Sequence, residues 1–165
     1  MTSRHDRLTR HRTDGARNSL WRWTRARNPL RVVLHYVVVV VARVMPSLRA
    51  KNWLYRRLGM TVGRGAAWGL EATPDVFFPD LVTVERDAIV GYDATLLCHE
   101  FLATEYRTGE VVVREGAMIG AGAVVLPGVE IGAGAQVAAN SLVADDVPAG
   151  ETVAGVPAEP VSRES

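Results

Sequence analysis

Cysteine is almost absent: Cys98 is the only one in 165 residues. No intramolecular disulfide can form, a cysteine-cluster metal site is excluded, and a reducing compartment suits the chain. Cys98 adjoins a histidine and could act as a nucleophile, but a small packing residue is the simpler reading. Lysine is as scarce, with Lys51 alone against eighteen arginines. Histidine is sparse as well: after His5, His11 and His35 only His99 remains. A long uninterrupted apolar run is also missing. The best stretch, Val32–Ala42, contains His35 and falls short of the roughly 20 residues that span a bilayer. No small-residue cleavage site follows it, so a cleaved signal peptide is not expected despite the arginines before it.

The charge is divided unevenly. Residues 1–60 hold fourteen Arg/Lys against two Asp, whereas residues 61–165 hold five Arg against sixteen Asp/Glu. A net charge of +1 therefore hides two opposed blocks. Residues 1–29 lack aliphatic periodicity and read as a disordered basic tail, in which Trp21 and Trp23 could touch an anionic surface. Residues 30–60 read as a helical extension. The valines of 30–48 favour a strand by propensity. Arg31, Arg43 and Arg49 at its ends suit instead a helix that lies on a membrane interface or packs on the rest of the chain. A second basic helix, about 50–58, carries Trp53, Leu54, Tyr55 and Leu58 on one side and is expected to cap the domain that follows.

What is abundant is a beat of six. Val113, Ile119, Val125, Ile131, Val137 and Val143 return at every sixth position, and Gly116, Gly122, Gly128, Gly134, Asn140 and Asp146 fill the fourth place of each hexad. Those residue types tolerate a left-handed backbone best. A helix repeats near 3.6 and a lone strand repeats at 2; a period of six with a turn residue at fixed offset is a short strand and a corner, repeated, which is a parallel β-helix. Three hexads make one triangular coil, and strands of successive coils stack about 4.8 Å apart. The beat extends upstream through Val84, Val90 and Leu96, with Asp87, Asp93 and His99 in the fourth place. Val62, Gly65 and Ala66 form one earlier hexad, and the phase is lost from Trp68 to Thr83. The β-helix domain is expected over 61–165.

Between Leu96 and Val113 eleven extra residues, 100–110, must leave the prism as a loop. Loops that interrupt a rigid scaffold often carry function. His99 stands at the corner where this one departs, in the place expected to be left-handed. With an ordinary pKa near 6.5, an imidazole is a natural general base at neutral pH.

The repeat, the interrupting loop with Leu97-Cys98-His99-Glu100, and the closing run Val153-Ala154-Gly155-Val156-Pro157-Ala158 after Asp146-Val147-Pro148 resemble the hexapeptide-repeat acyltransferases, nearest to the maltose and galactoside O-acetyltransferase branch. The resemblance implies an all-β, left-handed parallel β-helix, here with an N-terminal helical extension. It also implies a homotrimer with sites between neighbouring prisms, acetyl-CoA as cosubstrate, no metal, and His99 deprotonating a hydroxyl or amine acceptor. Carried over by position, Ala121 and Ala139 contact the pantetheine arm, Met118 stands where an aromatic usually flanks the thioester, and Pro157 and Arg163 belong to the end motif, Arg163 facing a CoA phosphate. Asp145 and Glu159 replace basic residues there and repel CoA. Glu105 from the loop is the expected orienting partner of His99, ahead of Glu100. Asp75 is a candidate for the acceptor pocket, against a surface turn beside Pro74. Arg107 is a candidate for an anionic acceptor, against a surface pair with a glutamate.

A γ-type carbonic anhydrase shares the prism but needs three histidine ligands, which one histidine cannot supply. The serious alternative is a non-catalytic β-helix scaffold or membrane-docking protein; nucleic acid is not an expected partner. The expected enzyme is an acetyl-CoA-dependent O-acetyltransferase, cytoplasmic, with peripheral contact to the inner membrane face through residues 20–48 as the companion expectation.

Overall fold

The computed structural model describes residues 4–161. The chain opens with a 3-10 turn, Arg4–Arg7, and strand β1, Thr9–Arg12. A second 3-10 turn, Ser19–Arg22, leads into a one-turn helix α1, Trp23–Ala26. Helix α2 runs Pro29–Val44 and helix α3 Leu48–Arg57. The expected unstructured tail is therefore folded from residue 4 onward. Its arginines find the acids of the β-helix: Arg4 pairs with Glu100 at 3.0 Å and Arg7 with Asp146 at 2.5 Å.

Local signals make α2 a helix in spite of its valines. Asn28 caps it by accepting from the Leu30 N–H at 2.9 Å, and Pro29 takes the first helical position, where a missing N–H costs nothing. Val32, His35, Val39 and Ala42 are buried, one stripe at helical spacing that packs on the prism and overrides strand propensity. Among the described residues, no helix is long and apolar enough to cross a membrane.

Five turns of parallel β-helix follow. β2 (Thr61–Val62), β3 (Ala67–Trp68) and β4 (Thr73–Pro74) form the first coil. β5 (Val82–Val84), β6 (Ile89–Val90) and β7 (Thr95–Leu96) form the second. The chain then leaves the prism as an antiparallel hairpin, β8 (His99–Phe101) and β9 (Glu105–Thr108), on whose outer edge β1 pairs antiparallel. It returns for β10 (Val111–Val113), β11 (Met118–Ile119) and β12 (Val124–Val125), then β13 (Glu130–Ile131), β14 (Gln136–Val137) and β15 (Leu142–Val143). A bridge from Val147 to Ile131, strand β16 (Thr152–Ala154) and the antiparallel β17 (Glu159–Pro160) close the top.

The inward residues stack as the repeat predicts: Val84 on Val113 on Ile131, Val90 on Ile119 on Val137, Leu96 on Val125 on Val143. All nine are buried to within 1% exposure. Corners match at Asp87, Asp93, Asn140 and Gly116, which have positive φ, but not at Asp146, whose side chain instead accepts from the Glu130 N–H. One expectation fails below them. Trp68 and Pro74 are in phase with Val62, pairing with Val90 and Leu96, and Glu71 turns the corner at φ 62°. The break in phase is a four-residue insertion confined to the segment between Pro74 and Val84.

Helix α3 does cap the open end, with Tyr55 and Leu58 of the expected face in the core and Leu54 packed against it. Trp53 is exposed, whereas Lys51, Asn52 and Tyr55 are buried. The lowest coil presents carbonyls with no further coil to donate to them, and polar side chains of α3 take that role. Lys51 Nζ donates to Gly69 O at 2.8 Å, Asn52 to Ala66 O at 2.8 Å and Arg56 to Val62 O at 2.8 Å.

Candidate active site

The insertion after β4 and the excursion after β7 leave the prism one above the other, because Pro74 and Leu96 are register partners. That stacking brings Asp75 to His99. Asp75 Oδ2 lies 2.5 Å from His99 Nδ1 and accepts from the Cys98 N–H at 2.7 Å. Asp75 Oδ1 accepts from the N–H groups of Phe77 and Phe78, both at 2.8 Å. The carboxylate side chain is 0% exposed. Four donors satisfy its oxygens, which offsets the cost of burying a charge. A carboxylate only accepts, so Nδ1 carries the proton and Nε2 is left with its lone pair. Nε2 has no hydrogen-bond partner among the described residues.

Aromatic rings wall the imidazole. Phe77, Phe101 and Phe78 lie 4.8, 5.0 and 5.9 Å from it between ring centroids. The N-terminal segment supports this wall: Trp23 meets Phe77 edge-on at 5.8 Å, and the Arg27 guanidinium sits 5.0 Å over Phe78. Phe77 also lines a cleft of about 480 Å³ with Asn18, Leu20, Trp21 and Trp23.

Several expected roles change. Asp75, a candidate for the acceptor pocket, is buried and bonded to His99 Nδ1. Glu105, expected to orient His99, is paired with Arg107 at 2.7 Å. The two lie two residues apart on β9, hence on one face of the strand. Arg107 is thereby the glutamate-paired arginine rather than a free anion binder. Glu100 is held by Arg4. His99 does not turn a left-handed corner: it opens the extended β8, because the chain departs here instead of continuing the coil. Cys98 is fully buried, and burial, with the Asp75 charge next, pushes its thiol well up, which suits packing and not nucleophilic attack.

The residues expected to meet CoA lie away from this pair within one chain. Met118 opens β11 with its side chain outward and 39% exposed. Ala121 and Ala139 occupy exposed corners one coil apart, tied by the Asn140 N–H to Ala121 O at 2.8 Å. Pro157, Asp145 and Glu159 are exposed near the top of the prism. Arg163 lies outside the described residues. The phenylalanine walls carried no repeat signal; their signal was the Phe77-Phe78 pair inside an insertion.

The family described as "Bacterial transferase hexapeptide (six repeats)" matches residues 110–145. A Bacillus subtilis protein named "Putative acetyltransferase YvoF" is 45% identical over 149 residues, covering 90% of this chain and 86% of its own length. Two solved structures share the fold. The hexapeptide-repeat acetyltransferase VCA0836 of Vibrio cholerae, complexed with acetyl coenzyme A, superposes with a TM-score of 0.63 at 19% identity, over 81% of this chain and 86% of that one. A galactoside acetyltransferase in complex with coenzyme A gives 0.62 at 18% identity, over 81% and 80%.

Proposed function

The chain belongs to the CoA-dependent hexapeptide-repeat acyltransferases, and from that membership we propose that it moves an acetyl group from acetyl-CoA to a hydroxyl or amine acceptor, an O-acetyl transfer in the first instance, with His99 as the general base. The observation that carries this reading is the buried Asp75 carboxylate on His99 Nδ1 at 2.5 Å. It fixes the tautomer in which Nε2 can accept a proton. A lone structural histidine has no need of such a partner.

The step balances as follows. Nε2 takes the acceptor's proton as its oxygen or nitrogen attacks the thioester carbonyl. The tetrahedral intermediate collapses, the carbon–sulfur bond breaks, and the imidazolium returns a proton to the CoA thiolate. The Asp75 carboxylate stabilises the transient imidazolium. Phe77, Phe78 and Phe101 keep water from the base and raise the strength of that charge pair.

The left-handed winding and the homotrimer of this family fit a chain whose CoA candidates are remote from its own His99. On this reading Met118, Ala121 and Ala139 of one prism face His99 of a neighbour, and the pantetheine lies between. Pro157, exposed near the top of the prism, closes the far end of the groove. Asp145 and Glu159 remain unfavourable to the CoA phosphates, while Arg7 neutralises Asp146 beside them. A weak CoA affinity that rises with added salt, as that repulsion is screened, is expected.

Calorimetry of acetyl-CoA on the purified protein and on His99→Ala tests this. Binding by both is expected, since His99 acts in the chemical step. Absence of binding heat at millimolar acetyl-CoA, in low and high salt, overturns the transferase and favours a scaffold.

A further inference from the structure

The extension has one face that the prism does not use. Beyond the buried stripe of α2, the residues Leu30, Val33, Leu34, Val37, Val41 and Val44 are exposed, from 48% at Val41 to 80% at Leu30. They occupy the side of the helix opposite the prism along its whole length, about 24 Å at 1.5 Å per residue. Contiguous apolar surface of that extent is uncommon on a protein face that stays in water. It continues round the corner to Leu48 and Trp53, which are 44% and 55% exposed.

The rim of this face is basic. Leu48 also lines a groove of about 610 Å³ with Arg49, Arg56, Arg64 and Arg86, and with one acid, Asp87, 3.8 Å from Arg86. Arg56 is committed to carbonyls of the first coil and Arg86 to Glu115. Arg49 and Arg64 have no acid partner among the described residues. The Arg57 guanidinium stacks 5.2 Å over Trp53, an amphipathic pair with an apolar body and a charged tip. Neither α2 nor α3 contains an acidic residue.

We infer that the outer face of α2, with Leu48, Trp53 and the arginine groove beside them, docks on an anionic lipid surface. The valine and leucine side chains enter the boundary between headgroups and acyl chains, with the helix in the plane of the membrane. Arg49 and Arg64 meet lipid phosphates of an anionic leaflet. Charge selects this occupant, since α2 and α3 carry arginines and no acid, and Arg49 and Arg64 face the groove beside its one acid, Asp87. The inference stands apart from the acyl-transfer reading, because it uses none of the residues around His99.

Vesicle flotation of the full-length protein tests it, with phosphatidylcholine alone and with phosphatidylcholine mixed with phosphatidylglycerol. The protein is expected to float with the mixed vesicles only, and less in high salt. Val33→Glu with Val37→Glu, and separately Arg49→Glu with Arg64→Glu, are each expected to lower the bound fraction about tenfold or more. Light scattering is expected to give an unchanged mass for both variants. Wild type that stays unbound, or floats equally on phosphatidylcholine alone, overturns the inference. So does a fall in mass of the valine variant, which assigns the face to contact between copies. If the valine variant unfolds, the arginine variant decides, and unaltered flotation of it counts against the proposal.

Discussion

Asp75 uses both carboxylate oxygens to hold three backbone N–H groups and one imidazole, so a substitution there has a specific signature. Asp75→Asn keeps the shape. Its amide, turned so that Oδ1 still serves Phe77 and Phe78, points N–H donors at Nδ1. The ring then adopts the tautomer with its proton on Nε2, and the base is lost. The turnover number is expected to fall by roughly 10²-fold or more, with the KM for acetyl-CoA little changed, as steady-state kinetics can show. Tyr55 offers a contrasting test. Its hydroxyl is buried without a partner, and burial pushes the phenol up. Tyr55→Phe removes an unsatisfied polar group and is expected to leave stability unchanged or raise it by about 1 kcal/mol in a denaturant melt. At this scale His99 was legible because it is the single histidine of the repeat region and stands where the beat stops. The role of Asp75 was not legible. Its approach to His99 depends on Pro74 stacking under Leu96, and the insertion that follows Pro74 hides that register. Glu105 misled because loop membership says nothing of which face of a strand a side chain shares, and Arg107 shares its own.

Helix α2 shows how an element can answer to its neighbours more than to its composition. Valines that favour strands are helical here because one stripe meets the prism and Asn28 and Pro29 start the helix. His35 is part of that stripe; its Nδ1–H donates to Val76 O at 3.1 Å. Burial is the main cause that lowers its pKa. The folded state thus binds fewer protons than the unfolded chain below about pH 6.5. Stability is full above that value and declines as pH falls toward the lowered folded value. The melting temperature is expected to drop on acidification from about pH 7 to pH 5, and His35→Gln, which keeps a donor, is expected to flatten that slope. The existence and placement of α3 as a cap were readable from its position before the first coil. Tyr55 and Leu58 were readable as its buried apolar residues, but its polar contacts were not, because hydrophobicity marks the side that meets a core and says nothing of a row of carbonyls. Lys51, Asn52 and Arg56 are the residues such an edge requires.

The whole molecule resolves the uneven charge of the sequence. The basic extension folds back on the acidic β-helix through Arg4–Glu100, Arg7–Asp146 and Arg43–Glu71, with Arg27 on Asp80 as well. The prism was the most legible part, since a six-residue period leaves few other structures and inward residues stack at eighteen wherever the beat is unbroken, as Val113 on Ile131 does. Where residues are inserted, period carries no information, and there the site is built: the Asp75–Phe78 segment below, the β8–β9 hairpin above. The proposed assembly, with Met118, Ala121 and Ala139 toward a neighbour's His99, is a property of several chains, which one chain's pattern states only through its family. The most direct measurement is the rate of CoA thiol release from acetyl-CoA across a panel of hydroxyl and amine acceptors, wild type against His99→Ala. The account predicts acceptor-dependent release that falls roughly 10²–10⁴-fold in the variant at matched acetyl-CoA saturation. Acceptor-dependent release that survives the substitution contradicts it.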